Sequence, residues 1–199
     1  MQKGTFILVL LISGFSLPAQ QTRPFSDPDA LFEEARTYFQ QEQYSLAYPL
    51  LKELELQLRE SDRSSQATLY QQIKYYTLVC GLKQNEPGAA LQAEDFINVE
   101  DHAARVEQMN FHLGEYYFRR TEYTLALEHY GQTSVQHLNN REVADYKFHQ
   151  GYAYFSQQKY DLAKPLFNVI RQVKSDPNYA AANYYFGFIS FYEIGRAHV

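Results

Sequence analysis

The residues best suited to acid–base or metal chemistry are histidines, and they are scattered along the sequence instead of forming a motif: His102, His112, His129, His137 and His149. His112 and Glu115 have the i, i+3 spacing that places two side chains on one helix face, although one such pair is more often a surface contact than a metal site. The sequence has no G-x-S-x-G, no H-E-x-x-H and no glycine-rich phosphate loop. We therefore expect no enzyme activity, no cofactor and no metal, and we expect the lone Cys80 to be buried.

Aromatic side chains, which could bind a partner, are far more abundant than histidines in this sequence. The chain has 18 Tyr, 14 Phe and no Trp, so that 16% of its residues are aromatic. With 45% hydrophobic and 21% charged residues it has the composition of a folded protein. A net charge of -5 provides no basic patch for phosphate contacts, which excludes nucleic acid as the expected partner.

The N-terminus predicts an export signal. Lys3 precedes an apolar run from Phe6 to Leu17, and Leu17-Pro18-Ala19 leads into a polar stretch. The run is shorter than the roughly 20 residues of a membrane-spanning helix, so a permanent anchor is the weaker alternative. We predict a signal peptide over residues 1–19 and a polar linker over 20–28, without lipid modification because no cysteine lies at the cleavage region.

The rest of the sequence predicts an all-α protein, because apolar residues recur every three or four positions while Gly and Pro are scarce. No strand pattern stands out. Predicted breaks between the helices lie at residues 40–43, 60–65, 85–88, 120–122, 139–141, 157–159 and 174–178.

Three windows of the sequence superimpose without a gap, which indicates a repeated pair of helices. Each begins at a small residue, the start residue, and continues with an aromatic three residues later, a Tyr nine later, an Ala twelve later and a bulky residue sixteen later. The matching positions are Ala35, Tyr38, Tyr44, Ala47 and Leu51; Gly114, Tyr117, Tyr123, Ala126 and Tyr130; and Gly151, Tyr154, Tyr160, Ala163 and Phe167. A weaker window begins at Leu78, and another start is visible at Gly187.

The spacing predicts how the two helices of a pair approach each other. We expect Gly114 and Ala126 to meet where the helices cross, with Tyr117 and Tyr123 on either side. Tyr130 should then reach back to close the pair.

These windows resemble the tetratricopeptide repeat (TPR), with "FHLGEYYFRRTEYTLALEHY" at 111–130 and "FHQGYAYFSQQKYDLAKPLF" at 148–167 as good matches. The chain departs from that family in lacking Trp and in having slightly long repeats. The resemblance covers residues 29–192, in units of about 29–60, 66–98, 103–138, 142–174 and an incomplete 179–192. It implies a right-handed solenoid of antiparallel helix pairs whose first helices line a concave surface.

One face of the predicted first helices is rich in aromatic residues, and by the resemblance this is the concave face. The alternative is that these rings pack between repeats, which we expect for Phe39, Phe118, Phe155 and Phe191. We expect the partner-binding groove to consist of Phe111, Glu115, Arg119, Phe148, Tyr152, Tyr184 and Phe188.

Residues 193–199 read Glu-Ile-Gly-Arg-Ala-His-Val, which is the in-frame translation of a common sequencing adapter. We expect this tail to be non-native and the natural chain to continue with further sequence. A natural terminus that matches by coincidence is the alternative.

Together these features predict a non-catalytic scaffold that binds a partner protein or peptide in an aromatic groove. The export signal, with the resemblance to larger exported TPR proteins, suggests the periplasm or outer-membrane periphery of a Gram-negative bacterium. Two alternatives remain open: a glycan-binding surface protein, or the docking or sensor arm of a larger enzyme.

Overall fold

The protein folds into helices only, as predicted, throughout the part described by a computed structural model. That part comprises residues 27–60 and 63–197, with side chains for 27–59 and 66–195. Its helices are α1 (Pro28–Gln40), α2 (Tyr44–Glu60), α3 (Arg63–Gln84), α4 (Ala89–Val99), α5 (Ala103–Arg119), α6 (Tyr123–Gly131), α7 (Asn140–Ser156), α8 (Tyr160–Ile170) and α9 (Tyr179–Ala197), with one 3₁₀ turn at Val135–His137.

The helices pack in the order in which they follow one another along the chain. Each of α1 to α8 contacts the next helix, and the first helices of successive pairs, α1, α3, α5 and α7, also contact one another. Each first helix is thereby covered by its own pair partner and by the neighbouring pairs. The core follows the same order, because it consists of successive clusters of buried apolar residues.

The turn inside each helix pair has the same backbone geometry in all four pairs. Seven residues after each start residue the chain adopts a left-handed conformation, with φ between 57° and 61°, at Glu42, Asn85, Thr121 and Gln158. The next residue donates its N–H to a carbonyl five residues earlier, in the bonds Gln43 to Tyr38, Glu86 to Gly81, Glu122 to Tyr117 and Lys159 to Tyr154. This is the Schellman arrangement that ends a helix. The helix pairs therefore repeat in backbone geometry, including the pair whose window is weak in sequence.

Two of the small start residues, Gly114 and Gly151, lie directly against the bulky residues sixteen positions later. A Cβ atom added to Gly114 would lie 2.5 Å from the Tyr130 ring, and one added to Gly151 would lie 3.1 Å from the Phe167 ring. Ala126 is fully buried beside Tyr130. Tyr130 closes the pair as predicted, and its ring occupies the space that the missing side chain of Gly114 leaves.

The helices differ in length from the sequence prediction at two places. The third unit was predicted to extend to residue 138, but α6 ends at Gly131 and the 3₁₀ turn follows. Ser134 accepts a hydrogen bond at the start of that turn, and Asn139 with Glu142 forms a capping box at the start of α7. Likewise α8 ends at Ile170, before the predicted break.

The predicted signal peptide over residues 1–19, most of the linker and residues 198–199 of the tail lie outside the described residues. Among the helices that are described, none is both long enough and apolar enough to cross a membrane. Cys80 is fully buried as predicted, and burial raises the pKa of its thiol to about 12.

Candidate partner-binding surface

The first helices form a surface with two cavities, which we call the first-helix face. The first cavity has a volume of about 280 Å³ and is lined by residues of α1, α3 and α5. Its aromatic wall comprises Phe32, Tyr75 and Tyr76, and its polar lining comprises Arg36, Gln72, His102, Arg105 and Gln108. Three successive helix pairs therefore contribute to a single concavity.

Ring contacts hold the aromatic wall in place. Tyr76 lies with its ring centroid 5.8 Å from Phe32 and 4.6 Å from Phe39, so it bridges α1 and α3. The Tyr75 hydroxyl lies 3.2 Å from Nε2 of His112 on α5. Each pair of rings at such distances stabilises the packing by about 0.5–1.5 kcal/mol beyond the area buried. The wall is thus built into the core and does not depend on a ligand.

The two arginines of the first cavity, Arg36 and Arg105, differ in their ion pairs and in their exposure to solvent. Arg105 donates two hydrogen bonds to the buried carboxylate of Glu100, at 2.9 and 3.1 Å. Burial alone would raise the pKa of Glu100, but these bonds outweigh it and the net pKa is lowered. Arg36 forms an ion pair of 2.6 Å with Glu33, and the two side chains are 43% and 57% exposed. Of the two arginines, Arg36 is therefore the more accessible to solvent, because the side chain of Arg105 is 19% exposed.

The second cavity, of about 270 Å³, lies between the turn of the first pair and the start of α7. Its lining holds four carboxylates, two basic side chains, two aromatic rings and one amide: Glu42, Tyr44, Lys83, Phe111, Glu115, Asn139, Arg141, Glu142 and Asp145. Arg141 on α7 forms an exposed ion pair of 3.0 Å with Glu42, which is 99 residues earlier in the chain. An exposed pair of this kind contributes at most about 1 kcal/mol. The contact nevertheless brings the first and fourth pairs together around this cavity.

Glu115 was predicted to be a selective polar group of the groove, but it is buried and already bonded within the protein. Its Oε1 accepts a hydrogen bond from the Tyr130 hydroxyl at 2.6 Å and lies 2.8 Å from Nδ1 of His149. Burial alone would raise the pKa of Glu115, but the contact with His149, the bond from Tyr130 and the charge of Lys83 outweigh it and lower the net pKa. Glu115 therefore connects α5 to α6 and α7. His112, three residues earlier, contacts the Tyr75 hydroxyl on α3.

Phe111 departs from its predicted place in the groove, whereas Arg119 is exposed but hydrogen-bonded within the protein. Phe111 is only 2% exposed and packs in one core cluster with Tyr130, so its predicted exposure in the groove is wrong. It nevertheless lines part of the second cavity. Arg119 donates a hydrogen bond of 2.9 Å to the Leu82 carbonyl at the end of α3. Its guanidinium thereby satisfies a helix-end carbonyl, which reduces its capacity to bind a partner.

Phe148 and Tyr152 lie on α7 and are half-buried against α9. The ring of Tyr185 on α9 lies 6.2 Å from Phe148 and 5.3 Å from Tyr152. Phe118 stacks on His149 at 4.1 Å and extends the same row of rings towards α5. These rings mainly join neighbouring helix pairs. Packing between units, which was expected for Phe39, Phe118 and Phe155, is confirmed.

Tyr184 and Phe188 are the two aromatic residues of the predicted groove that are exposed, at 66% and 42%. Both lie on α9, where Phe191 is 79% exposed although we expected it to pack between units. Among the described residues, no helix follows α9 to cover this side. The exposed aromatic residues therefore form a surface separate from the two cavities.

Sequence reasoning did not select Tyr76, Lys83 or Arg105 as site residues. Lys83 faces the second cavity near the Tyr44 ring, and burial lowers the pKa of its ammonium group. Two of these residues lie on α3, where the start residue is Leu78 and the repeat signal is weak. The spacing of Tyr75, three residues before Leu78, was the available signal.

The chain was also compared with known proteins. No family model matches it, and no curated protein matches it.

Proposed function

We propose that this chain is a non-catalytic scaffold of the TPR kind, a right-handed solenoid of antiparallel helix pairs that binds a protein or peptide partner. The proposal is supported by the identical turn in four successive pairs and by contacts between successive first helices. In such arrays each unit buries its apolar face against its neighbours, and the stacked first helices present an extended concave surface.

The observation that carries the proposal is the first cavity of the first-helix face. It combines a preformed aromatic wall with one reachable cation, Arg36, and with the amide side chains of Gln72 and Gln108. Rigid aromatic surfaces rimmed by a few polar groups are typical of sites that recognise peptides. A carboxylate of the partner, from Asp, Glu or a chain terminus, is the group that Arg36 would pair with.

A non-catalytic role agrees with the use of the polar side chains. Glu115 is held by Tyr130 and His149, His112 contacts Tyr75, and the His129 ring lies 2.9 Å from Asn110. These groups tie helices to one another and are not directed together at one point in a cavity. The proposed groove accordingly moves from the predicted residues of α5 and α7 to Arg36 and the half-buried Tyr76. Phe32 and Tyr75 are buried and support the Tyr76 ring by contact.

We also propose that the chain is exported and acts in the bacterial envelope, with possible association with the outer membrane. The support for this part is the N-terminal sequence alone. Expression of the full chain with its own N-terminus in a Gram-negative host, followed by fractionation and N-terminal sequencing, would test it. Processing near Ala19 with recovery in the periplasm is expected, and an unprocessed chain in the cytoplasm would contradict it.

The binding role can be tested with a random 12-residue peptide library displayed on phage and selected against the full chain. Affinities of the selected peptides would then be measured by fluorescence anisotropy on two matched variants. Arg36→Glu reverses the reachable charge in the first cavity. Arg120→Glu reverses an exposed arginine that forms a similar surface pair with Glu122 at the turn before α6.

We expect selected peptides to carry a carboxylate and to lose at least about tenfold in affinity with Arg36→Glu, while Arg120→Glu has little effect. Raising the salt concentration should weaken the wild-type complex in the same direction. If no peptide is enriched, or if both variants bind the selected peptides as the wild type does, the first cavity is not the binding site.

A further inference from the structure

The exposed side of α9 repeats a binding geometry that is occupied elsewhere in the protein. Counting 36 residues on from α7, Phe148, Gly151 and Phe155 correspond to Tyr184, Gly187 and Phe191. In α7 these positions are covered. Phe167 of α8 lies against Gly151 and within 6.0 Å of Phe148, and Tyr160 of α8 lies 5.4 Å from Phe155.

The corresponding positions on α9 are open. A Cβ atom added to Gly187 would meet no atom within 4 Å, whereas the same addition at Gly114 or Gly151 meets a ring. Tyr184, Phe188 and Phe191 are all exposed. We call this face, defined by Tyr184, Gly187, Phe188 and Phe191, the α9 socket. It is a large exposed aromatic surface on a folded chain, and such surfaces mark interaction sites.

The second helices of three pairs show what chemistry covers such a socket. Residues 44–51, 123–130 and 160–167 share the pattern Tyr-x-Leu-Ala followed, four residues after the Ala, by Leu, Tyr or Phe. In each segment the alanine is fully buried and the last residue is fully buried. Where the start residue is Gly, as at Gly114 and Gly151, that last residue is a ring.

We propose that the α9 socket binds an amphipathic helix that carries this pattern with a Phe or Tyr at its last position. The helix runs antiparallel to α9. Its last ring fills the space above Gly187 beside Tyr184, and its first Tyr packs on Phe191. The occupant is thus defined by the same contacts that α8 makes with α7. This surface lies outside the two cavities of the first-helix face, so the proposal does not depend on the proposed function.

The probe is a fluorescent peptide that copies residues 159–173. A lactam between Asp161 and a lysine introduced as Pro165→Lys holds the helix, because short isolated helices are marginal in water. Both positions are exposed in α8, so the link does not cover the contact face. Binding to the full chain is measured by anisotropy, with a Phe167→Ala peptide as the control ligand.

Two protein variants make the test specific. Gly187→Leu fills the socket, whereas Gly131→Leu places the same side chain at another open glycine, on α6. We expect the peptide to bind the wild type and Gly131→Leu equally, and to lose at least about tenfold in affinity with Gly187→Leu or with the Phe167→Ala peptide. Arg36→Glu should leave this binding unchanged, which separates the socket from the first cavity.

Two results would overturn the proposal. One is the absence of peptide binding to the wild type, and the other is binding that Gly187→Leu does not weaken. Sedimentation equilibrium tests the remaining alternative, a dimer of the chain. If the wild type dimerises, Gly187→Leu dissociates the dimer and the peptide does not bind, the socket binds a second copy instead of a helix of the α8 type.

Discussion

The contact between Gly114 and Tyr130 predicts a graded response to one chemical change, the addition of a methyl group at three equivalent glycines. Alanine at position 114 would place its Cβ atom 2.5 Å from two atoms of the Tyr130 ring. That ring is fully buried and its hydroxyl donates a hydrogen bond to Glu115, so the ring cannot easily shift away from position 114. At Gly151 the nearest ring atom, on Phe167, lies at 3.1 Å, and at Gly187 there is no neighbour within 4 Å.

Two effects of opposite sign determine the free energy of unfolding. Replacing Gly by Ala inside a helix stabilises it by about 0.5–1 kcal/mol. Overpacking a close contact costs about 1–3 kcal/mol. We therefore expect Gly114→Ala to destabilise the protein by about 1–2 kcal/mol net. The Gly151→Ala change should lie near zero, and Gly187→Ala should stabilise its helix by about 0.5–1 kcal/mol.

The assay is urea unfolding followed by circular dichroism at 222 nm, because the chain has no Trp to report by fluorescence. Midpoints and slopes are fitted for the wild type and the three variants, and equal slopes permit direct comparison of free energies. The prediction depends on the order of the three variants more than on any single value. If Gly114→Ala proves as stable as Gly187→Ala, Tyr130 is not wedged against the helix, and the account of the helix crossing is incorrect.

Three further predictions concern single side chains, each measured by urea unfolding. Thr121 adopts φ 61°, which is unfavourable for a β-branched residue; Thr121→Gly should therefore stabilise the protein by about 1 kcal/mol, whereas Glu128→Gly within α6 should cost about half a kcal/mol. Burial, with two nearby positive charges, lowers the pKa of His112 well below 6.5 in the folded chain. The unfolded chain then binds the proton first as the pH falls, so lowering the pH from about 7.5 to about 5.5 should cost the wild type more stability than His112→Gln, by about 1 kcal/mol. An equal loss in both would exclude a buried neutral His112. Tyr130→Phe removes a hydrogen bond to the Glu115 carboxylate and should cost about 1.5–3 kcal/mol at neutral pH. Because the pKa of Glu115 is lowered in the folded state, this bond contributes above that pKa, and the difference between variant and wild type should shrink in acid.

The sequence predicted the turns between paired helices well, because those turns depend on local spacing. In the four helix pairs the start residue is followed seven positions later by a left-handed residue, and this holds at Asn85 although the window that begins at Leu78 has lost its small residue and its aromatic. The Schellman turn is formed by backbone groups, so it tolerates such side-chain changes. The second helix of that pair begins at Ala89, two residues later than the pattern implies, because Pro87 and Gly88 extend the turn.

The sequence predicted that Tyr130 closes its helix pair, but not that the ring lies directly against Gly114. It suggested that Gly114 faces Ala126, since both are small and helices approach closely at small residues. In the structure the Tyr130 ring fills the space above Gly114, and Phe167 does the same above Gly151. Sequence spacing fixes the face of a helix on which a residue lies, but the fit between a glycine and a ring depends on the crossing of two helices, which spacing alone does not determine.

Exposure was the hardest property to predict, because it depends on where a unit lies in the array and not on residue type. The position three residues before the start residue is aromatic in every window. It is buried at Phe32, Tyr75 and Phe111, half-buried at Phe148 and exposed at Tyr184. The same kind of side chain thus changes from core to surface as fewer described neighbours cover it. Phe111 was assigned to the groove on residue type and helix face alone, and that assignment failed because α6 covers the ring with Tyr130. Comparing equivalent positions along the array therefore explains exposure better than residue type does, and Gly187 is the start glycine that no ring covers among the described residues.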